Sequence, residues 1–201
     1  KLLRKYVDHA DNGKDRRQEI CDSLDLIASE SRRCGDLVKN LLTFSRTTPI
    51  NLQPTNLNSV IAQALRLVQH QLELTGIHVE EHLETDLPLI DCDGAQIEQV
   101  LLALLLNAID AMPQGGNLWI TSTSEAQENQ LRIVVRDDGA GIPSAALNRV
   151  FEPHFSTRTT GSGLGLAISR RLLESWGGTI DLESVEGRGA KVVISMQAAT
   201  R

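Results

Sequence analysis

From residue 15 to residue 46 the chain reads DRRQEICDSLDLIASESRRCGDLVKNLLTFSR, with no proline and one glycine, Gly35. Ile20, Leu24, Ile27, Ser31, Cys34, Val38 and Leu41 advance by four and three residues in alternation. That 3.5-residue repeat predicts a helix with one apolar seam. Six of the seven seam positions are apolar or carry a thiol, and Ser31 is the weak one. The outer face is charged. At ~1.5 Å per residue such a helix is roughly 45 Å long, and its stripe needs a second helix to cover it. The polar stretch DHADNGKD, residues 8–15, reads as a turn from a preceding helix that would end within residues 1–7. Two completions fit: an αα-hairpin that pairs with a second copy into a four-helix bundle, or a helix that packs only on its own domain.

At TTPINLQPTNLN, residues 47–58, two prolines break the helix and Asn56 is placed to cap the next one. Residues 58–76 then predict an amphipathic helix stopped by Gly76, and IHVEEHL, residues 77–83, alternates as a strand. A short strand over residues 87–93 leads into a helix over 95–112 that is apolar on more than one side, hence buried. Residues 117–125 and 130–139 predict a strand pair, 143–151 a short helix, 163–178 a glycine-led helix, and 179–197 a closing hairpin. The expected fold class is α+β: a two-layer α/β sandwich, one mixed sheet with helices on one face, over residues 49–201, preceded by a helical hairpin over residues 1–48.

Composition narrows the function. With 20 Lys and Arg against 26 Asp and Glu, a net charge of −6 and a pI near 5.4, the chain lacks the basic excess of a nucleic-acid-binding surface. Aromatic residues are 3% of the chain, so Leu, Ile, Val and Ala must fill the core. The longest apolar run, VLLALLLNAIDAM at residues 100–112, is too short to span a bilayer and contains Asn107 and Asp110. Cys21, Cys34 and Cys92 have no metal-ligand spacing, which fits reduced thiols and a cytoplasmic setting. The opening KLLRKYV reads as the end of a helix, so the chain is expected to be a piece of a longer protein, with any membrane attachment lying upstream.

Three short segments carry candidate chemistry, and each has an ordinary structural explanation beside the functional one. RDDGAGIP, residues 136–143, is either a surface turn or the floor of a ligand site. GSGLGLAIS, residues 161–169, is either a flexible lead-in to a helix or a bared positive helix end that takes an anion. Asn107, inside an apolar helix, is either a satisfied buried amide or an oxygen donor to Mg²⁺. Their order decides between them: Asn107, Asp-x-Gly-x-Gly about 30 residues on, and Gly-x-Gly-x-Gly about 20 further. A dinucleotide-binding fingerprint is excluded, because it should follow the first strand of a βαβ unit.

In these motifs the chain resembles the ATP-binding domain of sensor histidine kinases, built on the Bergerat fold, over residues 53–197. QVLLALLLNAIDAM (99–112) is similar to the N box, DDGAGI (137–142) and GSGLGLAISRRLLESWGGTI (161–180) to two glycine boxes, and FEPHFSTR (151–158) to the F box. EGRGAKVVISM (186–196) matches the closing turn and strand, and residues 15–46 resemble the second helix of the dimerisation and phosphotransfer domain. The resemblance implies ATP and Mg²⁺ as cofactors, with Asn107 as the metal ligand and Asp110 beside it in the nucleotide site. It implies Asp137 as acceptor for the adenine amino group, and Gly139, Gly141 and Ile142 against the base. Phe151 and Phe155 would anchor a short lid whose moving part is Ser156 to Ser162, including Thr157. Gly161, Ser162, Gly163, Leu164, Gly165 and Leu166 would cradle phosphates, and Arg158 would reach the γ-phosphate. No residue here is expected to act as a catalytic base. The implied reaction passes the ATP γ-phosphoryl to a bundle histidine and then to an aspartate of a response-regulator receiver domain, in a homodimer joined through residues 15–46.

Two departures stand out. Ala103 occupies a place where the family commonly has a second Asn, and none of His9, His70, His78, His82 and His154 has the sequence context of a phosphoacceptor. The acceptor is therefore expected upstream of Lys1. The departures leave open a degenerate nucleotide-binding, scaffold or phosphatase module without kinase activity. A Bergerat-fold Ser/Thr kinase fits less well, since those lack the long helix at 15–46.

Overall fold

The computed structural model describes residues 20–24, 27, 51–125, 129–157 and 161–198. The chain divides into two units, Lys1–Arg46 and Thr47–Arg201. In the first, residues 20–24 and Ile27 are helical. Ile20 is half-buried there, while Leu24 and Ile27 are 52% and 47% exposed. The seam positions Ser31, Cys34, Val38 and Leu41, and the turn at residues 8–15, lie outside the described residues.

The second unit is built on a five-stranded sheet in the order β2 (Ile77–Leu83), β4 (Gly116–Glu125), β5 (Gln130–Asp137), β7 (Ala190–Gln197), β6 (Thr179–Ser184). β2 runs parallel to β4 and every other pair is antiparallel, so the sheet is mixed as expected. Its helices are α1 (Leu57–Thr75), α2 (Gly94–Ala111), α3 (Ser144–Leu147) and α4 (Gly165–Glu174). Local chemistry sets their ends. Asn56 Oδ1 accepts the Ser59 amide at 3.1 Å to start α1, and Gly76 ends it in the left-handed region at φ +70°. Asp93 Oδ1 accepts the amides of Ala95 and Gln96 at 3.1 and 3.3 Å to start α2.

Alternation then builds the core. Leu118 and Ile120 on β4 and Leu131, Ile133 and Val135 on β5 point to one face of the sheet. They meet Ile97, Val100, Leu101, Leu104, Leu105 and Ala108 of α2, together with Leu57, Ile61, Ala64 and Val68 of α1. The core is aliphatic, as the low aromatic content requires. Trp119, Thr121, Val134, Arg136 and Lys191 line the opposite face.

Three expectations are corrected. The stretch 47–58 is not all linker: β1 (Gln53–Thr55) pairs antiparallel with β3 (Ile90–Cys92) in a two-stranded ribbon beside the mixed sheet. Pro54 is tolerated because the ribbon is two-stranded and both strands are edges. The helix expected over 143–151 closes after Leu147 into turns. The glycine-led helix begins at Gly165, because Gly163 sits at φ +66°, and gives way to turns after Glu174.

Candidate functional site

The acidic pair at the end of β5 splits into two different jobs. Asp137 is 7% exposed and its Oδ1 accepts two backbone amides, Gly139 at 2.9 Å and Ala190 at 3.3 Å. Asp138 is exposed. Its two oxygens accept the backbone N–H and the side-chain Nδ2 of Asn117, both at 2.8 Å. Those two bonds, the backbone one first, hold the Asp138 carboxyl below its ordinary value against a smaller upward push from desolvation.

The loop after β5 is closed by other backbone. The Ala140 amide donates to Ala111 O at 3.0 Å and the Gly187 amide to Ala140 O at 2.7 Å. Ser184 Oγ accepts the Ile142 amide at 2.9 Å and donates to Gly189 O at 2.7 Å. Gly139 is glycine because a β-carbon there would stand 2.7 Å from Ala111 O. Gly141, at φ +65°, would put one 2.1 Å from Val185 O. The resemblance assigns these glycines to the approach of a base; the neighbours found here are protein backbone. RDDGAGIP is thus a tightly closed turn whose buried carboxylate is fixed in place.

α2 supplies the link to the second glycine segment. Ala103, Asn107 and Ala111 are spaced four apart and form one row along the helix. At one end, a β-carbon on Gly165 would lie 3.8 Å from Ala103 Cβ; at the other, one on Gly139 would lie 2.9 Å from Ala111 Cβ. Asn107, half-buried, stands between the start of α4 and the loop after β5, and Asp110, exposed, follows three residues later. Leu164 caps α4 with no side-chain hydrogen bond, which leaves a first turn whose amides and dipole favour an anion. Leu164 is buried, Leu166, Ser162 and Gly163 are half-buried, and Gly161 is exposed. The Leu164 amide reaches Ser162 Oγ at 3.4 Å.

The turn before that helix is anchored. Phe151 packs against the core, and Phe155 is half-buried under the Arg149 guanidinium. The His154 amide donates to Gly163 O at 3.0 Å. Ser156 and Thr157 are exposed, and Arg158 lies outside the described residues, as do Thr159 and Thr160 of the expected lid. His70, His78 and His82 are exposed on α1 and β2. Cys92 is buried in β3, where burial pushes its thiol up, and Cys21 is exposed; both are free thiols, and Cys34 lies outside the described residues. Among the described residues no three His, Cys, Asp or Glu side chains gather into a metal site, and no helix is long and apolar enough to cross a membrane. Ser184, Ala190 and Arg149 belong to no motif that marks them in the sequence. Ser184 and Ala190 act through long-range pairing of β6 and β7, which leaves no local mark.

Residues 92–200 match the family described as histidine kinase-, DNA gyrase B-, and HSP90-like ATPase. Among curated relatives, the sensor histidine kinase ZraS of Escherichia coli O157:H7 is 36% identical over 169 residues, 84% of this chain and 36% of that protein. Sporulation kinase E of Bacillus subtilis is 31% identical over 171 residues, 85% of this chain and 23% of its own. The chain therefore spans well under half the length of either relative. The solved catalytic domain of histidine kinase ThkA is 30% identical with a TM-score of 0.66, covering 73% of this chain and 95% of that one. A structure of ThkA in complex with response regulator protein TrrA is 25% identical with a TM-score of 0.79, covering 98% of this chain and 56% of that one. With half of its length matched by the ATPase family, and that half holding the four antiparallel strands β4, β5, β7 and β6 and the helices α2 and α4, the chain belongs to the histidine kinase-, DNA gyrase B- and HSP90-like ATPases and carries the ATPase region of a sensor histidine kinase.

Proposed function

We propose that this region binds Mg·ATP along the α2 row and presents its γ-phosphoryl to a histidine on a helical bundle of the parent protein, for relay to a response-regulator aspartate. The observation that carries the reading is the position of Asn107, midway between the buried carboxylate loop and the uncapped start of α4. Asp137 would accept the adenine amino group; guanine offers a carbonyl there, so ATP is selected. Gly139, Gly141 and Ile142 hold that carboxylate loop against the base. Gly161 to Leu166 offer backbone amides to the phosphates, and Arg158 adds charge at the γ end. Asn107, with Asp110 nearby, suits a hard cation held chiefly by phosphate oxygens and water, to which the protein adds one oxygen. When bound, Mg²⁺ neutralises phosphate charge. What the chain itself supplies is position: phosphoryl transfer demands in-line alignment more than covalent help from the enzyme.

The AMPPNP complex of the histidine kinase ShkA and the regulator complex of ThkA, both similar in fold, support nucleotide and regulator as the ligands to try first. Calorimetric titration of the chain with ATP and Mg²⁺, with GTP as control, tests the reading. Saturable ATP-selective binding that weakens about tenfold or more in Asn107→Ala supports it. A second reading rests on Ala103, whose methyl faces Gly165 where a polar side chain would reach the phosphates. In that case the module is degenerate and without kinase activity, and the missing polar side chain costs it the nucleotide. No ATP uptake by the wild-type chain, restored by Ala103→Asn, would favour it. With γ-labelled ATP this chain should take up no acid-labile, base-stable label, since its own histidines are not the acceptor.

A further inference from the structure

We infer that Arg149 and Arg170 are positioning residues for the start of α4, an inference that rests on the nucleotide reading above. The turn Phe151–Phe155 carries two rings, and each lies beneath a guanidinium. Arg149 Cζ is 4.4 Å from the Phe155 ring centre and Arg170 Cζ is 5.4 Å from that of Phe151. Each arginine is steadied by a carboxylate of its own segment: Arg149 Nε to Glu152 Oε2 at 3.0 Å, Arg170 Nε to Glu174 Oε1 at 2.8 Å. A solvent-exposed ion pair alone would be worth little. Here the pair orients a planar group onto an aromatic face, which adds attraction and direction.

The contact continues to the glycine segment without a gap. The Phe155 amide donates to Glu152 O at 3.2 Å, and the Glu152 amide to Arg149 O at 2.8 Å, so Arg149 and Phe155 bracket one closed turn. Inside it His154 holds φ +66°, a region a β-carbon disfavours, and it is kept there by its neighbours. Its amide bonds Gly163 O at 3.0 Å. Gly163, also at φ +66°, lies so close that a β-carbon would stand 2.5 Å from His154 C and 2.7 Å from Phe155 N. Two residues later α4 begins. Arg170, on α4 itself, returns the tie to Phe151, which packs on the core. Moving either ring therefore moves Gly163 and the amides that follow it. The loop that fixes Asp137 shares none of these contacts.

That separation gives the test. The chain is titrated with ATP and with AMP, both with Mg²⁺, as wild type, Arg149→Ala, Arg149→Lys, Phe155→Leu and the Arg149→Ala/Phe155→Leu pair. Arg149→Ala is expected to weaken ATP about threefold to tenfold while AMP stays within about twofold. Arg149→Lys, which keeps the charge, should recover part of the loss. The double variant should be no worse than the weaker single one. Arg170→Ala should act in the same direction. The ratio of ATP to AMP affinity is unaffected by a smaller folded fraction, so a purely structural role would leave it unchanged. If ATP and AMP weaken together, or neither changes, the inference fails while the nucleotide reading stands. If the wild-type chain binds neither nucleotide, both fail.

Discussion

Asp137 Oδ1 accepts the amides of Gly139 and Ala190, so its carboxylate closes the loop whether or not a ligand is bound. Replacing it therefore tests two things that one substitution cannot separate. Asp137→Ala strands two part-buried amides and should cost about 1–3 kcal/mol of stability by urea unfolding. Asp137→Asn keeps an acceptor oxygen and should cost about 1 kcal/mol, yet still weaken ATP by removing a charge-assisted bond worth ~1.5–3 kcal/mol. Equal ATP affinity in a folded Asn variant would take Asp137 out of the nucleotide site. Its neighbour behaves otherwise. The folded-state value of Asp138 is lowered by the Asn117 bonds, so its contribution is present above the ordinary carboxylate range and is lost as pH falls through the lowered value. Asp138→Asn should cost under ~1 kcal/mol at pH 7, since the group is exposed. The gap from wild type should close as pH drops below about 4; a gap that widens would contradict this assignment. In the sequence the two acids look alike. What separates them is Asn117, on β4, and Ala190, on β7, and neither pairing leaves a trace in the local pattern.

Elements with a strong period and a chemical end were legible: α1 between Asn56 and Gly76, α2 from Asp93, and β2 at Ile77–Leu83 all follow from capping and alternation. β1 was not, because three residues around Pro54 carry no period and exist as a strand only through β3. The closing glycine turn was legible as a turn but not as a contact. Gly187 and Gly189 sit at φ +76° and +83°, yet a β-carbon on Gly187 meets nothing within 4 Å while one on Gly189 would stand 2.0 Å from Asp137 O. Gly187→Ala should therefore cost only the left-handed strain, about 1 kcal/mol. Gly189→Ala must also push β7 off the Asp137 loop, and should cost more than about 3 kcal/mol and weaken ATP together with stability. Comparable unfolding midpoints for the two variants would show that the turn does not bear on the loop.

At the scale of the whole chain, the nucleotide reading draws only on residues of the unit Thr47–Arg201, whereas pairing of two copies draws on residues 15–46. Within that second stretch Ile20, Leu24 and Ile27 are helical and follow the four–three spacing of the seam. Leu24 and Ile27 are 52% and 47% exposed in one copy of the chain. Large aliphatic side chains at that spacing are what a coiled contact buries. We propose that a second copy covers them, which makes association and nucleotide binding separable by mutation. Ile27→Asp would bring an unpaired carboxylate from each copy into an apolar contact, a cost of several kcal/mol that a two-helix seam cannot offset. By light scattering the wild-type chain is expected to be dimeric, and the variant monomeric at the same concentration. Its ATP affinity should stay within about twofold of wild type, because no residue of the nucleotide reading lies in the first unit. A variant that remains dimeric would remove the seam from the interface. A monomer that also loses ATP would show that the two units depend on each other for binding.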